Sequence, residues 1–473
     1  MYRLVVYGLI AMALMALFLM ATDNLAFSPL GFMATLGMFV AVSYGANKLF
    51  GWLFGVTALG ESALITGLIL SFLFSPAENP ADFAKLALVA VIAMASKYVL
   101  APRGRHIFNP AAIAVVIASI SGLAFAGWWV ATPAMLPVTI IVGALILYRT
   151  KKRQMATVFL LVAVAMLLLR GTSLELALTS WPLFFLGAIM LSEPLTLPPR
   201  ARQQYIIAAA VGILMTLPLH YGPVTMTPAL ALVIGNAISW ALGTRHAIKL
   251  RYVGRKQLGS QTFDLTFDTA KLSFEPGQFF ELTLPHKHAD SRGQRRVFSI
   301  VGRPGDEQVS IGIKVPTKPS SFKRALMNLH KGDTIYATRI AGDFVLPEDK
   351  KVPVVCIAGG IGVTPFISYC LSSNRPLKLV YAVNNIGDVS FVDQLRHHAI
   401  DVTVVSPDDA RLPDSDWRHV RGHLNEKILA DIVSDVHEPE VYISGPPAMV
   451  ANTRRIVRGL GVKTVKVDEF AGY

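Results

Sequence analysis

The chain has 473 residues, 53% of them hydrophobic and 16% charged, and carries a formal net charge of +13. That charge invites a nucleic-acid partner. However, the basic residues of the first half cluster at the ends of apolar segments, where membrane topology accounts for them, so nucleic acid is set aside. Two cysteines, Cys356 and Cys370, supply neither a disulfide framework nor a metal site and read as core thiols.

Composition divides the chain. Residues 1–245 contain six acids (Asp23, Glu61, Glu78, Asp82, Glu175 and Glu193), and the other 25 of the 31 follow residue 245. A shift this sharp marks at least two domains. A bilayer core needs roughly 20 apolar residues per helix. Ten segments come near that length, at about 3–22, 28–48, 58–75, 83–100, 110–128, 133–149, 154–170, 174–192, 204–220 and 226–243. The first reads as a retained helix rather than a cleaved leader, because further apolar spans follow it and no small-residue cleavage site stands out. Alternate breaks are basic: Lys48; Lys97, Arg103 and Arg105; Arg149, Lys151, Lys152 and Arg153; Arg200 and Arg202. Basic breaks face the cytoplasm, which places both termini there and predicts a multi-pass protein of the inner (plasma) membrane.

Three spans carry polar punctuation: Glu61 in "ALGESALITG", Asn109-Pro110 in "APRGRHIFNPAA", and Glu193-Pro194 in "MLSEPLTLPPR". An ionisable group at membrane depth is costly and reads first as a site; the alternative is helix capping at the interface.

From Arg251 the rhythm changes to period two. "QTFDLTFD", "GQFFELTLP", "VSIGIKV" and "DTIYATRI" read as strands, with a break at Pro276-Gly277, and predict a small antiparallel barrel over 248–347. Within it, "RRVFSI" places Arg296 and Phe298 on the face opposite Val297 and Ser299. Arg296 suits a pyrophosphate, Phe298 a flat ring, and Ser299 a hydrogen bond to that ring's edge. From Val352 strands alternate with helices, which predicts an α/β doubly wound domain over 352–473. Ligands of such sheets bind at the carboxyl ends of the strands. Both glycine clusters fall there: "AGGIGVTP", with Gly359, Gly360, Gly362 and Thr364, and "SGPPAMV", with Ser444, Gly445 and Pro446. Each follows a strand and opens a helix, an arrangement suited to an anion.

With "RVFS", "GGIGVTP", "SGPPAM" and the terminal "EFAGY" in this order, residues 248–473 resemble the ferredoxin–NADP⁺ reductase superfamily, an FAD barrel followed by a pyridine-nucleotide domain. The resemblance implies that Arg296, Phe298 and Ser299 bind FAD. In "KPSSFKRAL" it implies that Ser320 and Ser321 form a second pyrophosphate contact. Ser444, Glu469 and Phe470 fall at the hydride path, Phe470 covering the flavin where nicotinamide enters. Many relatives have a cysteine where Ser444 stands, which implies an altered rate. After "LVYAV" the chain has Asn384 and Asn385 rather than an arginine, which leans to NADH over NADPH.

Residues 1–245 resemble the NqrB/RnfD family, membrane components of the sodium-pumping NADH:quinone oxidoreductase and of the Rnf complex, through "ESALITGLIL", "RGRHIFNPAA" and "FFLGAIMLSEPLTLPP". Relatives have Asp-Pro where this chain has Glu193-Pro194. They attach FMN to the threonine of Ser-Gly-Ala-Thr. The counterpart here, in "GWWVATP", is Thr132, with Trp129-Val130 in place of Ser-Gly. A flavin there, covalent or not, is one expectation; an interfacial aromatic belt at Trp128 and Trp129 is the other.

Together these readings describe an NAD(P)H-dependent flavoprotein oxidoreductase that passes electrons through FAD to an acceptor in or across the lipid bilayer: a flavin, a quinone or an outer-side redox protein. One alternative is a haem-type transmembrane reductase. It requires paired histidines, and the first half offers only His106, His220 and His246. Another is a transporter or redox sensor whose soluble part only reads the dinucleotide. Ion pumping on an iron–sulfur centre would need partner proteins, since the chain has no cysteine cluster.

Overall fold

The computed structural model describes residues 2–56, 58–101, 106–242, 248–286, 290, 294–373, 375–396, 400–414 and 416–470. It separates into two compact units, one running from Met1 to Ala247 and the other comprising Ile248–Asp290 and Gln294–Tyr473.

The first unit is helical: α1 (Tyr2–Ala21), α2 (Pro29–Leu53), α3 (Gly60–Leu73), α4 (Pro80–Val99), α5 (Pro110–Ile120), α6 (Leu136–Thr150), α7 (Arg153–Leu169), α8 (Leu174–Ser180), α9 (Leu183–Phe185), α10 (Ala201–Leu214) and α11 (Pro228–Leu242). Two of these, α1 and α2, are long and apolar enough by themselves to cross a bilayer. Five others (α3, α5, α6, α7 and α11) are apolar but have 11 to 17 residues. The ten full-length spans read from the sequence are therefore not what the helices show. The span at 110–128 stops at Ile120, just before Gly122 turns the chain at φ +66°. That at 174–192 breaks at Pro182, which has no N–H to continue the ladder, and resumes as α9 and a π turn, Leu186–Met190. The unit leaves large apolar side chains outside, with Phe18 62% and Leu169 81% exposed, while its core holds Phe32, Phe39, Phe72 and Phe159. A two-stranded hairpin, β1 (His220–Tyr221) and β2 (Val224–Thr225), closes one break.

The second unit contains two six-stranded sheets. The first comprises β3 (Ile248–Gln257), β4 (Thr262–Asp268), β5 (Phe279–Thr283), β6 (Arg295–Ser299), β7 (Gln308–Lys314) and β8 (Thr334–Ala341), ordered β6-β5-β8-β3-β4-β7 and antiparallel throughout. A bridge between Val301 and Ser310 draws its two ends together. A short helix, α12 (Ser321–Met327), buries Phe322 and Leu326 in the barrel core. The second sheet is parallel: β9 (Val354–Gly359), β10 (Leu377–Ala382), β11 (Ile400–Ser406), β12 (Arg418–Arg421), β13 (Glu440–Gly445) and β14 (Val465–Glu469), ordered β12-β11-β10-β9-β13-β14. Its helices are α13 (Thr364–Ser372), α14 (Val392–Arg396), α15 (Glu426–Ser434) and α16 (Pro447–Gly459). The strand order reverses between β9 and β13, so a crevice opens at their carboxyl ends. Both cysteines are buried, and burial pushes the Cys370 thiol up to about 12. They are core thiols.

Candidate functional site

Both glycine clusters lie at that reversal. Gly359 ends β9 and Gly360, at φ +53°, opens a tight turn, Gly360–Val363, that leads into α13 with Pro365 in its first turn. A Cβ on Gly362 would lie 2.4 Å from the Ser444 carbonyl oxygen, so the third glycine exists to let the two turns touch. Gly445 stands at φ +154°, and its Cβ would come within 3.1 Å of Gly359 Cα. Pro446 then leads into α16. Thr364 is buried, and its hydroxyl donates to the Ile361 carbonyl at 3.1 Å, so its contribution is the helix N-terminus and not a free hydroxyl.

Ser444 is wholly buried, and among the described residues its Oγ has no hydrogen-bond partner. A buried hydroxyl left this way costs about 1–3 kcal/mol. It marks a place where a bound polar group would be satisfied. On the adjoining strand, Glu469 pairs with Gly445, and the Phe470 amide donates to the Gly445 carbonyl at 3.0 Å. The tail that begins at Phe470 is thus hung from the second turn; residues 471–473 lie outside the described part.

A cavity of about 570 Å³ opens over the carboxyl ends, with Gly359, Gly360, Asn384 and Pro446 on one wall and Thr262 and Lys314 of the barrel on the other. Its size is that of a small-molecule cleft. Further along β4 from Thr262, Asp264 carries the strongest carboxyl perturbation among the described residues of the unit. Burial lifts it to about 6, opposed by a hydrogen bond from Ser310 and by the charge of Lys256.

The barrel presents a second constellation. As alternation predicts, β6 puts Arg296 and Phe298 on one face and Val297, 54% exposed, on the other. Both inward groups meet Phe322. The guanidinium carbon sits 5.2 Å from its ring centroid, and Phe298 stacks on it at 6.0 Å and 26°. Arg296 also donates to Asp290 Oδ1 at 2.9 Å and to the Arg295 carbonyl at 2.7 Å. Ser299, at the end of β6, is buried.

The hydroxyls of Ser320 and Ser321, predicted to meet a phosphate, are committed within the chain. Ser320 Oγ caps α12 by accepting from the Lys323 amide at 3.2 Å. Ser321 Oγ accepts from the Asp290 amide at 2.9 Å and lies 3.0 Å from His286 Nε2. His286 Nδ1 is 2.8 Å from the Leu284 carbonyl oxygen, which can only accept. The neutral ring therefore carries its proton on Nδ1, and Nε2 accepts from Ser321. Sequence reasoning missed His286, Asp290 and Phe322; the one signal was a His- and Asp-bearing loop running into "RRVFS".

In the helical unit, Thr132 lies in the break before α6, and its Oγ1 is buried with no partner among the described residues. Trp128 and Trp129 are not an interfacial belt. Both are buried, and Trp129 donates to the Ser71 and Phe74 carbonyls at 2.9 and 3.0 Å and packs on Phe27, Phe32 and Phe72. Glu61 pairs with Arg3 at 2.9 Å in a half-exposed position. The histidines required by a haem are engaged elsewhere: His106 lies against Glu193, and His220 Nδ1 is 2.9 Å from Thr225 Oγ1 in the exposed hairpin; His246 lies outside the described residues.

A family described as oxidoreductase NAD-binding domain matches residues 356–455. The chain is 30% identical over 200 residues to the reductase component of propane 2-monooxygenase from Mycolicibacterium goodii, covering 39% of this chain and 54% of that protein. It is 29% identical over 225 residues to the electron transfer component of toluate 1,2-dioxygenase from Pseudomonas putida, covering 44% and 62%. The chain spans about half the length of the curated relatives it matches, from 49% to 62%. Among solved structures, a ferredoxin NADP⁺ reductase from Neisseria gonorrhoeae with bound FAD and NADP aligns over 47% of this chain and 98% of that one, at 17% identity and a TM-score of 0.40.

Proposed function

We propose that the chain is a membrane-bound NAD(P)H-dependent flavin reductase. It takes reducing equivalents on the cytoplasmic side and delivers them through its helical unit to a flavin, a quinone or an outer-side redox protein. The observation that carries the reading is the orphaned Ser444 hydroxyl between two glycine turns, beside a cavity walled by both the barrel and the parallel sheet. The match of residues 356–455 to an oxidoreductase NAD-binding domain supports it, as do the reductase relatives.

The residues present fit the two groups this activity needs. Arg296, Phe298 and Ser299 would hold FAD, Arg296 exchanging Asp290 for a pyrophosphate in a charge-assisted contact. Gly359, Gly360, Gly445 and Pro446 would admit the dinucleotide backbone closely, and the α13 N-terminus would favour its negative charge. Bound FAD supplies the exchange between a hydride and single electrons. Ser444 orients the nicotinamide by a hydrogen bond, and Phe470 excludes water from the face it covers. Having donor and receiver on one chain raises their effective concentration. The exposed apolar helices support a bilayer setting for the first unit. Thr132, with its buried unpartnered hydroxyl, is the position proposed for a second flavin.

The test uses purified full-length protein. Its flavin absorbance should bleach within a turnover on adding NADH or NADPH. A colourless protein, or pigment that neither donor bleaches, refutes the reading.

A further inference from the structure

The helical unit holds a charged constellation that reductase chemistry leaves unused. Asn109 caps α5, its Oδ1 accepting from the Ala111 and Ala112 amides at 3.1 Å each. Its own amide donates to Asn236 Oδ1 at 2.8 Å, which ties the cap to α11. Its Nδ2 donates to Glu193 Oε2 at 2.9 Å. The other carboxylate oxygen, Oε1, lies 3.4 Å from His106 Nε2, with the two side chains 18% and 13% exposed. That distance is ionic contact without a hydrogen bond: His106 Nε2 is buried and makes none among the described residues. The π turn Leu186–Met190 stands just before Glu193, an irregularity often found at functional sites.

A small cavity of about 50 Å³ reaches this pair at Glu193, lined by Ser62, Thr66, Asn109, Thr150, Ser192 and Glu193. A water occupies roughly 10–15 Å³ by this measure, so the cavity holds a few. Two charged groups near it, Arg3 of α1 and Lys97 of α4, have partners on α3. Arg3 pairs with Glu61, and Lys97 donates to the Ser62 carbonyl and hydroxyl at 2.9 and 3.0 Å.

We propose that His106 and Glu193 form a proton-binding site, one proton being taken up from solvent and held between His106 Nε2 and Glu193 Oε1. A carboxylate inside an apolar helical unit needs a compensating charge, and imidazole is the side chain that exchanges its proton near neutrality. Protonation converts the 3.4 Å contact into a charge-assisted hydrogen bond, for which about 2.7–2.9 Å is usual. A purely structural cap is already complete through Asn109 and Asn236. It requires neither His106 nor an unbonded Nε2.

Infrared difference spectra of the full-length chain in lipid nanodiscs, stepped between about pH 5 and 8, test this. In the wild type a carboxyl band and an imidazole band should change together. Glu193→Gln should lose the carboxyl change, His106→Gln the imidazole change, and Glu193→Asp should restore both. A Glu193→Gln spectrum identical to that of the wild type overturns the proposal. Should that variant not accumulate, wild type with labelled histidine is compared with His106→Gln, and an identical imidazole response overturns it equally. If the pair only braces the fold, both variants melt earlier with unchanged spectra, which also overturns it.

Discussion

Replacing Asp264 with Asn should reverse part of the pH dependence of the second unit's stability. Burial holds the folded carboxyl protonated up to about pH 6, against 3.8 for its ordinary value. The folded state therefore keeps a proton that the unfolded chain releases. This stabilisation is complete below about pH 4 and is lost as pH rises through 6. At 1.36 kcal/mol per pH unit, the loss across that window is about 3 kcal/mol. Asn keeps the shape and the Ser310 contact without the charge. The variant should match wild type near pH 4 and exceed it at pH 8 by up to about 3 kcal/mol. For a domain of this size each kcal/mol moves the melting temperature by roughly 2–4 °C. Melting the full-length chain at a series of pH values, followed by near-ultraviolet dichroism, reads the difference. A constant offset at all pH values, or a variant less stable at pH 8, would refute the assignment of the burial to Asp264.

Four further outcomes are expected. Arg296→Ala should purify with little FAD, and a variant with full flavin content sinks that role. Ser444→Ala should fold normally, since its hydroxyl bonds nothing among the described residues, and should slow flavin reduction by NADH several-fold; an unchanged rate separates Ser444 from the hydride path. Arg339→Met leaves Glu281 buried without its 2.6 Å partner and should cost about 3–5 kcal/mol by denaturant titration, far more than replacing both residues with apolar ones. Any flavin fluorescence that the denatured wild-type chain retains should vanish in Thr132→Ala; equal retained signals from the two place no flavin on that threonine.

Local pattern revealed what local physics decides. Alternation in "RRVFSI" put Arg296 and Phe298 on one face, and Asn109-Pro110 announced a helix cap. The turns at Gly359 and Gly445 were legible because strand, glycine and helix follow one another in the chain. What depends on distant partners was not. Strand β12, "RHVR", and strand β14, "VKVDE", have too few apolar residues to be read as strands, and they exist because β11 and β13 offer edges to pair with. His286 reaches Ser321 across 35 positions, so no window of sequence shows that the serine is already occupied. Helix lengths in the first half were overread because apolar runs continue past Gly122 and Pro182, where the backbone stops being helical.

At Gly362 the contact between the two glycine turns is main chain against main chain, with the Ser444 carbonyl and Gly445 Cα facing it. Substitution at Gly362 can therefore do little to retune that spot gradually, because any added atom collides with the facing main chain. Variation in which dinucleotide the crevice prefers has to come from its far walls, at positions such as Asn384 and Lys314, where side-chain size and charge are free to drift.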